Sequence, residues 1–546
     1  MNKNVLRKLL LVALITALFA LVLTACRGDG GTEGGLAADV EGEITIMTWS
    51  GDGSVIRDAG RSTLTPEEIS NVYVASLIAT ARAFNEIYPN VVINFYASAG
   101  GSGYWDQRRE DFALVNGRFP DIFKSVNLVA DAQRGLIADL SVFADDPRMQ
   151  RINPTVREKF TRHGFIFGFP LESIPWGVYV NRELAEQNNI PIPRPDWNID
   201  EYTAFVTNTD HRTFWGAHDA PHEFLDMMTH YTHYTMIRPG PGGVPHVNLE
   251  ADAIRHILSY VPQWSTATIR DLDRMGQLPA GVRDQFHWWR IMFFSGNGIL
   301  STHTNPWELG NVASVAPGVA LAAVSNDWDY FPFPSTPYRG NTIRMLYTPW
   351  AIYNYAEGEH EMTPEQRAQL DLSFAFMMFY MTDNRAWEAR ANQRQVVGTD
   401  ENYNPIIGTR IFTNFPIVTG ADFDFQMQTM FSTDSFSQLA DADRFPGFHK
   451  VLDIMQNGDT VGAHGIAFPR YVEVGGYMVG VIHEWELAAH YNLAIYFAGV
   501  HIHEPQWLDN VLARLPEWNR LSNERLALAD QQLRESLTRW YGITFD

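Results

Sequence analysis

Short apolar runs alternate with amphipathic stretches from residue 43 onward, a pattern typical of an α/β fold. Residues 44–49 and 91–96 are predicted strands, because β-branched and aromatic residues dominate both runs. Between them, apolar residues recur at helical spacing until Tyr88-Pro89 ends the run. The order strand, helix, strand predicts that the folded part opens with a βαβ unit.

Capping signals mark the ends of further helices. Thr65-Pro66-Glu67-Glu68 is a capping box with proline at the first helical position, and it predicts a helix that runs to residue 87. Asn198 with Glu201, and Thr363 with Gln366, predict two more helix starts. A last helix is predicted from Ser522 to Gly542, because Leu526, Ala529, Leu533 and Leu537 recur at helical spacing between them.

The first residues form a secretory leader. Lys3, Arg7 and Lys8 precede an apolar stretch over residues 9–23, and small residues follow it. Cys26, the only cysteine of the chain, comes directly after Leu23-Thr24-Ala25. A lone cysteine forms no internal disulfide, so the folded part is expected to reach its stability without one. The alternative interpretation of Cys26 is a buried structural thiol after an ordinary signal.

Composition and charge exclude several classes of protein. The chain has 546 residues, of which 45% are hydrophobic and 13% aromatic, enough for a large core in at least two units. Its net charge is −22, which disfavours nucleic acid as a partner. The leader is the only long apolar run, so a polytopic transporter is excluded. After Cys26, a glycine-rich segment to residue 42 predicts a tether of roughly 20 to 25 Å.

Several local patterns follow one another along the chain. They are L-T-A-C at 23–26, I-T-I-M-T-W at 44–49, F-N-E-I-Y-P-N-V at 84–91, F-P-D-I-F at 119–123, G-L-I-A-D-L-S-V-F at 135–143, G-F-P-L at 168–171, G-V-Y-V-N at 177–181, N-I-P-I-P-R-P-D-W-N-I-D-E at 189–201, F-F-S-G-N-G-I-L at 293–300, N-P-W at 305–307 and Y-F-P-F-P at 330–334. Taken in order, these patterns resemble the extracellular solute-binding proteins of bacterial ABC importers, family 1, the group similar to maltose-binding protein. The L-T-A-C resembles a lipobox, which implies cleavage before Cys26 and its diacylation.

The resemblance implies an α/β, two-lobe periplasmic-binding-protein-like fold of type II, with the ligand held between lobes that a multi-crossing hinge joins. It implies a first crossing within 168–181 and a return near 321–328. The predicted segments are the signal peptide at 1–25, the lipidated cysteine and tether at 26–42, lobe I at 43–167, lobe II at 168–323, lobe I again at 324–395, and lobe II with extra helices at 396–546.

A sugar site needs aromatic plates and planar polar groups, because sugars present flat C–H faces and hydroxyls. The resemblance and the predicted strand ends indicate eight ligand-binding candidates: Trp49, Asp121, Tyr179, Trp307 and Glu308 first, then Trp105, Trp176 and Trp350. For each aromatic residue the alternative is core packing. For Asp121 the alternative is a turn cap between Pro120 and Ile122.

Motifs for other chemistry are incomplete. His211, His218, His222, His230 and His233 lie close in sequence, but Pro221 weakens a helix there and neither His222-Glu223 nor His503-Glu504 completes H-E-x-x-H. We therefore predict no metal site and no cofactor. The sequence also contains no G-x-S-x-G and no G-x-x-x-x-G-K-[ST], so no catalytic residue is assigned.

The function predicted from the sequence is that of a membrane-anchored lipoprotein that binds a carbohydrate, an oligosaccharide, for uptake by an ABC permease. It is expected to be a monomer outside the cytoplasm and not an enzyme. Two rivals stay open: a surface-tethered glycoside hydrolase, suggested by the same aromatic and acidic richness, and a binding protein that serves a sensor.

Overall fold

The computed structural model describes residues 36–48, 55–66, 68, 71–97, 105–209, 213–218, 238–240, 243–274, 276–279, 281–282, 293, 298–302, 309, 327–356, 358–399, 404–411, 414–457, 460–462, 467–469, 471–481 and 504–545. The strands in chain order are Gly42–Thr48 (β1), Val55–Ile56 (β2), Val91–Ala97 (β3), Ile122–Lys124 (β4), Thr161–Arg162 (β5), Phe165–Ile166 (β6), Phe169–Trp176 (β7), Val178–Asn181 (β8), Trp215–Ala217 (β9), Arg238–Pro239 (β10), Pro245–His246 (β11), Ile299–Thr302 (β12), Trp328–Phe331 (β13), Ile343–Ile352 (β14), Arg394–Thr399 (β15), Pro405–Thr409 (β16), Thr460–Gly462 (β17), Tyr471–Val474 (β18) and Tyr477–Gly480 (β19).

Helices cover both sheets and fill the long connections. In chain order they are Val72–Ile87 (α1), Trp105–Asn116 (α2), Leu128–Gln133 (α3), Pro147–Arg151 (α4), Pro154–Lys159 (α5), Arg182–Gln187 (α6), Ile199–Thr207 (α7), Asp252–Leu258 (α8), Val261–Ser265 (α9), Ile269–Arg274 (α10), Pro364–Thr382 (α11), Asn384–Asn392 (α12), Ala421–Phe431 (α13), Pro446–Asn457 (α14) and Trp507–Tyr541 (α15). Short 3₁₀ turns occur at Ala59–Arg61, Leu140–Phe143 and Ser437–Ala440.

The first sheet has the strand order β17, β14, β4, β1, β3, β2, and β7 also pairs with β14. Strand β1 is parallel to both β3 and β4, while β14 runs antiparallel to β4 and β7. Its core is built around fully buried residues of the central strands, such as Ile44, Ile93 and Phe123, and the inner face of α11 packs on it. One contact there is the parallel stack of Phe143 on Phe374, with ring centroids 3.8 Å apart.

The second sheet has the order β13, β8, β12, β9. Strands β12 and β9 are parallel, and β8 is antiparallel to β12 and β13. Trp197, Tyr202 and Trp264 pack edge to face in its core. The indole of Trp197 donates to the carbonyl of Pro332 over 2.8 Å, so this core and its sheet hold each other in place.

Local capping explains where several helices begin and end. The predicted capping boxes at Asn198 and Thr363 are confirmed, each with the reciprocal hydrogen bonds. Gly542 closes α15 at φ 68°, as predicted. The predicted start of α15 at Ser522 is wrong, because Ser522 is buried inside a helix that begins at Trp507. Helix α1 begins at Val72 with the side chain of Asn71 as its cap, later than the box at Thr65 predicted.

Helix α15 packs on both cores. Its first half, with Trp507, Leu515 and Trp518, belongs to the second core, and Leu533 and Leu537 belong to the first. Between the two halves, the buried Asp530 accepts hydrogen bonds from Arg162 over 3.0 Å and from His163 over 2.8 Å. The helix therefore connects the two sheets through apolar contacts and a buried ion cluster.

Some strands and helices lie in a different sheet or core from the lobe to which the sequence assigned them. Strand β13 lies in the second sheet, although the return to lobe I was predicted at 324, because its residues pair along β8 from Val178 to Asn181. The return strand in the first sheet is β14. Helices α13 and α14, predicted in lobe II, place Met427, Phe448 and Val451 in the first core.

Candidate functional site

The strand order of the first sheet indicates where a ligand would sit. Its three parallel strands lie in the order β3, β1, β4, so the chain changes direction across the sheet between β1 and β4. In open α/β sheets, ligands bind outside the carboxyl ends of the strands at such a switch point. Here those ends are Thr48 and Lys124, and the register pairs the residues just before them, Met47 with Phe123. Lys124 is half-buried there.

Two long strands lead from that edge to the second sheet. Strand β7 starts beside Trp350, level with Lys124, and pairs with β14 as far as Trp176 and Arg344. It therefore extends roughly 20 Å beyond the carboxyl end of β4. After Gly177 the chain enters β8, where Tyr179 pairs with Thr302 at the carboxyl end of β12. We call β7 and β14, the two strands that lead from the first sheet toward the second, the crossing strands. The carboxyl ends of the parallel strands in both sheets lie beside them.

The crossing itself is fixed by one tyrosine. The hydroxyl of Tyr330 accepts from the N–H of Gly177 over 2.5 Å and donates to the carbonyl of Pro175 over 2.9 Å. Burial raises the pKa of this hydroxyl well above its ordinary value. A Cβ on Gly177 would lie 2.3 Å from the carbonyl oxygen of Phe331, so only glycine fits where the chain passes between the sheets.

Trp176 and Arg344 form a pair on the crossing strands. They are opposite each other in the register, and the guanidinium carbon of Arg344 lies 4.7 Å from the indole centroid. Both side chains are half-buried. This places an aromatic ring and a cation between the two sheets. Sequence reasoning found Trp176 but missed Arg344, since nothing local in the sequence links residues so far apart.

Three of the predicted contacts are buried in the fold. Asp121 precedes β4 and so lies at its amino end, away from the switch point. Its carboxylate accepts from the N–H of Thr45 over 2.7 Å and from the hydroxyl of Tyr355 over 2.8 Å, and it pairs with Arg118 over 2.8 Å. Tyr179 and Trp350 are fully buried. As ligand contacts all three stay predictions, and their observed contacts are within the protein.

Four more of the predicted contacts fall at or beyond the limits of the described chain. Trp49, Trp307, Glu308 and the lipidation site Cys26 lie outside the described residues. Trp49 directly follows β1, and Trp307 comes five residues after Thr302, the end of β12. Trp105 is the first residue of α2. As ligand contacts these four residues stay predictions.

Burial of polar groups elsewhere serves the fold. Asp329 on β13 accepts from the N–H groups of Gly447 and Phe448 at the start of α14, over 2.9 and 3.2 Å. Burial raises the pKa of Asp329, while these backbone hydrogen bonds and Arg182 act in the opposite direction. Nowhere among the described residues do three or more His, Cys, Asp or Glu side chains gather as metal ligands would. Of the histidines weighed above, His218 alone is described, and it is buried.

No family model matches the sequence, and no curated protein matches it. Solved structures do match its fold. A cyclic alpha-maltosyl-1,6-maltose binding protein from Arthrobacter globiformis aligns at TM-score 0.53 and 12% identity over 91% of this chain and 100% of its own. The chain has a two-lobe periplasmic-binding-protein-like fold. The predicted α/β fold class is confirmed, and the resemblance seen in the sequence extends to the fold.

Further matches are similar proteins with TM-scores just below 0.5. Maltose-bound MalE3 of T. maritima aligns at TM-score 0.49 and 12% identity, covering 87% of this chain and 99% of its own. The ABC substrate-binding protein Lmo0181 from Listeria monocytogenes, in complex with cycloalternan, aligns at 0.48 and 13% identity, covering 92% and 100%. Within the described part of the chain, every helix is too short or too polar to span a bilayer.

Proposed function

We propose that this chain is a membrane-anchored substrate-binding lipoprotein that captures an oligosaccharide between its lobes and delivers it to an ABC permease. The observation that carries the proposal is the placement of the crossing strands between the carboxyl ends of both sheets. In sequence, Trp49 comes directly after Thr48 and Trp307 comes five residues after Thr302, so we expect each lobe to contribute one aromatic residue to a bound sugar.

The crossing strands add polar chemistry to this site. The guanidinium of Arg344 lies over the indole of Trp176. The planar N–H groups of a guanidinium are suited to hydrogen bonds with pairs of sugar hydroxyls. Ligand that contacts both lobes stabilises the closed arrangement, and that arrangement is what the permease subunits would recognise. Cleavage before Cys26 and its acylation would hold the protein on the outer side of the cell membrane.

The test is thermal unfolding of residues 27–546 against a panel of sugars, peptides and metal ions, with each ligand analysed afterwards by mass spectrometry. Maltosyl oligosaccharides are tested first, because the protein matched at TM-score 0.53 is named as binding a cyclic maltosyl oligosaccharide. A ligand at about a hundred times its Kd should stabilise the fold by about 2.7 kcal/mol. Peptides and metal ions are the controls.

Each outcome has a distinct meaning. A sugar that raises the midpoint and is recovered intact supports the receptor. A sugar that is cleaved identifies a glycoside hydrolase instead. A response to peptides or metal ions, with none to sugars, overturns carbohydrate as the ligand class. Labelling with palmitate in cells, compared with Cys26→Ser, tests the anchor separately.

A further inference from the structure

A groove lies between two helices on the outer side of the second core. Helix α7 contributes Tyr202 and Phe205 to that core, and α9 contributes Val261 and Trp264. The groove is on the solvent side of this packed layer and has a volume of about 570 Å³, which is typical of sites for small molecules. We call it the outer groove. Its lining residues are Asp200, Thr203, Ala204 and Thr207 of α7, and Ser259, Tyr260 and Gln263 in and just before α9.

The ring of Tyr260 forms an aromatic wall of the outer groove. It stacks on Trp264 with ring centroids 5.8 Å apart and planes inclined by 20°, and His256 packs against it edge to face at 5.2 Å. Its hydroxyl donates to Oδ1 of Asp200, on the other side of the groove, over 2.6 Å. These contacts hold the half-buried ring in one orientation. A fixed aromatic wall suits the flat C–H face of a sugar.

The hydroxyl groups at the rim of the groove donate their protons within the protein. Thr207 donates to the carbonyl of Thr203 over 2.6 Å, and Ser259 donates to the carbonyl of His256 over 2.5 Å. Because a carbonyl oxygen can only accept, the direction of both hydrogen bonds is fixed. The hydroxyl of Tyr260 likewise donates to a carboxylate. All three oxygens therefore offer lone pairs, and not protons, to a ligand.

The other polar groups complete a site for hydroxyl donors. Asp200 engages only Oδ1 with Tyr260, so Oδ2 can accept from a ligand. The exposed amide of Gln263 bonds to none of the described side chains and supplies one acceptor and two N–H donors. Among the described residues that line the groove, none is basic. A ligand must therefore bring several O–H groups and no negative charge, because an anion would meet Asp200 with no cation beside it.

We propose that the outer groove is a second carbohydrate site, which holds a neutral saccharide by its hydroxyl groups with one ring face against Tyr260. A metal ion is disfavoured, because the groove offers a single carboxylate among its described residues. This inference goes beyond the proposed function. Both walls of the groove belong to the second core, and α7 packs on β9 and β12 of the second sheet. Binding here therefore needs no contact between the lobes.

The probe is maltotetraose, a neutral saccharide, and its binding to residues 27–546 is counted by equilibrium dialysis. The test variant is Gln263→Ala with Thr207→Val, which removes the open amide and one hydroxyl oxygen from the groove. The matched control is Gln428→Ala with Thr429→Val on α13. There too the glutamine is exposed, and the half-buried threonine donates to the carbonyl four residues earlier. Unfolding midpoints verify that all variants are folded.

The parent and the control should bind maltotetraose at the groove equally. The test variant should bind it about tenfold more weakly there, because two polar contacts are missing. Trp307→Ala should keep this binding, since Trp307 is a candidate for the site proposed between the lobes. Digalacturonate, an acidic saccharide, should leave the groove empty because Asp200 repels it.

Several outcomes would overturn the second site. They are full binding by the test variant, equal loss in the control, binding of digalacturonate at the groove as tight as that of maltotetraose, and a parent protein that binds no maltotetraose. Sugar binding that is lost in Trp307→Ala and kept in full by the test variant would overturn the outer groove while supporting the proposed function. The panel of sugars described above tests that function independently.

Discussion

Tyr330 and Gly177 are joined by a hydrogen bond where the chain passes from the first sheet to the second. The same hydroxyl donates to Pro175, so one side chain holds the backbone on both sides of the residue that makes the crossing. The geometry of the site proposed between the lobes depends on this contact, since Trp176 is the residue between those two backbone groups.

Tyr330→Phe should destabilise the protein by about 1 to 3 kcal/mol, because the N–H of Gly177 and the carbonyl of Pro175 lose a partner in a buried place. Urea unfolding of the variant against the parent measures this difference. Tyr477→Phe, at a side chain that is 77% exposed, is the matched control and should unfold like the parent. Equal stability of Tyr330→Phe and the parent would contradict this role.

Asp530→Asn should cost about 3 to 5 kcal/mol, because it leaves Arg162 buried without its anion. Glu524→Gln on the same helix, in an exposed pair with Arg520, is the control and should change stability little. Chemical unfolding at pH 7 measures both. If the two substitutions have the same effect, the ion cluster does not link the helix to β5.

The effect of Asp530→Asn should also depend on pH. Burial by itself would raise the pKa of Asp530, but hydrogen bonds from His163 and Arg162 and the charge of Arg162 outweigh it and lower that pKa. A lowered carboxyl pKa contributes stability above the unfolded value of about 3.9 and loses it as the pH falls toward the folded pKa. The stability difference between parent and variant should therefore be constant near neutral pH and shrink below about pH 4.

Asp121→Asn separates packing from ligand binding. The carboxylate has buried partners in Thr45 and Tyr355, so we expect the variant to lose about 1 to 3 kcal/mol of stability. Sugar affinity, measured by calorimetry well below the unfolding temperature, should stay within about twofold of the parent. A large loss of affinity in a protein of unchanged stability would return Asp121 to the ligand site.

Trp49→Ala and Trp307→Ala should each weaken sugar binding by about tenfold to a hundredfold, because a ring that covers one face of the sugar is lost. Their unfolding midpoints without sugar should match the parent. Tyr477→Ala is the control for loss of an exposed aromatic ring and should bind as the parent does. Full affinity in Trp307→Ala would remove the second lobe's aromatic contact from the proposal.

Local signals in the sequence predicted local structure well. The capping boxes at Asn198 and Thr363 and the glycine end at Gly542 depend only on neighbouring residues, and all three were found. The start of α15 was missed because Pro516 lies inside the helix, where proline usually interrupts one. Here Leu515 and Trp518 on either side are anchored in the second core, which sustains the helix through it.

Long-range pairing was beyond the sequence. The partners of Asp121 include Tyr355, which is 234 residues away, so a turn cap, a ligand contact and a buried network were equally compatible with its neighbours in sequence. The same holds for Arg344 on Trp176, a pair defined by the register of β7 and β14. The order of the motifs along the chain was enough to indicate the fold. Which residues contact each other inside it depends on the strand register, and the sequence alone does not give that register.

The 35-residue helix α15 also determines when this protein can finish folding. Both hydrophobic cores use side chains from residues 507–537, so neither is complete until nearly the whole chain is present. Because this last long helix closes both cores, the earlier segments cannot reach their final packing while the chain is still being made. Complete folding therefore follows synthesis of nearly the whole chain.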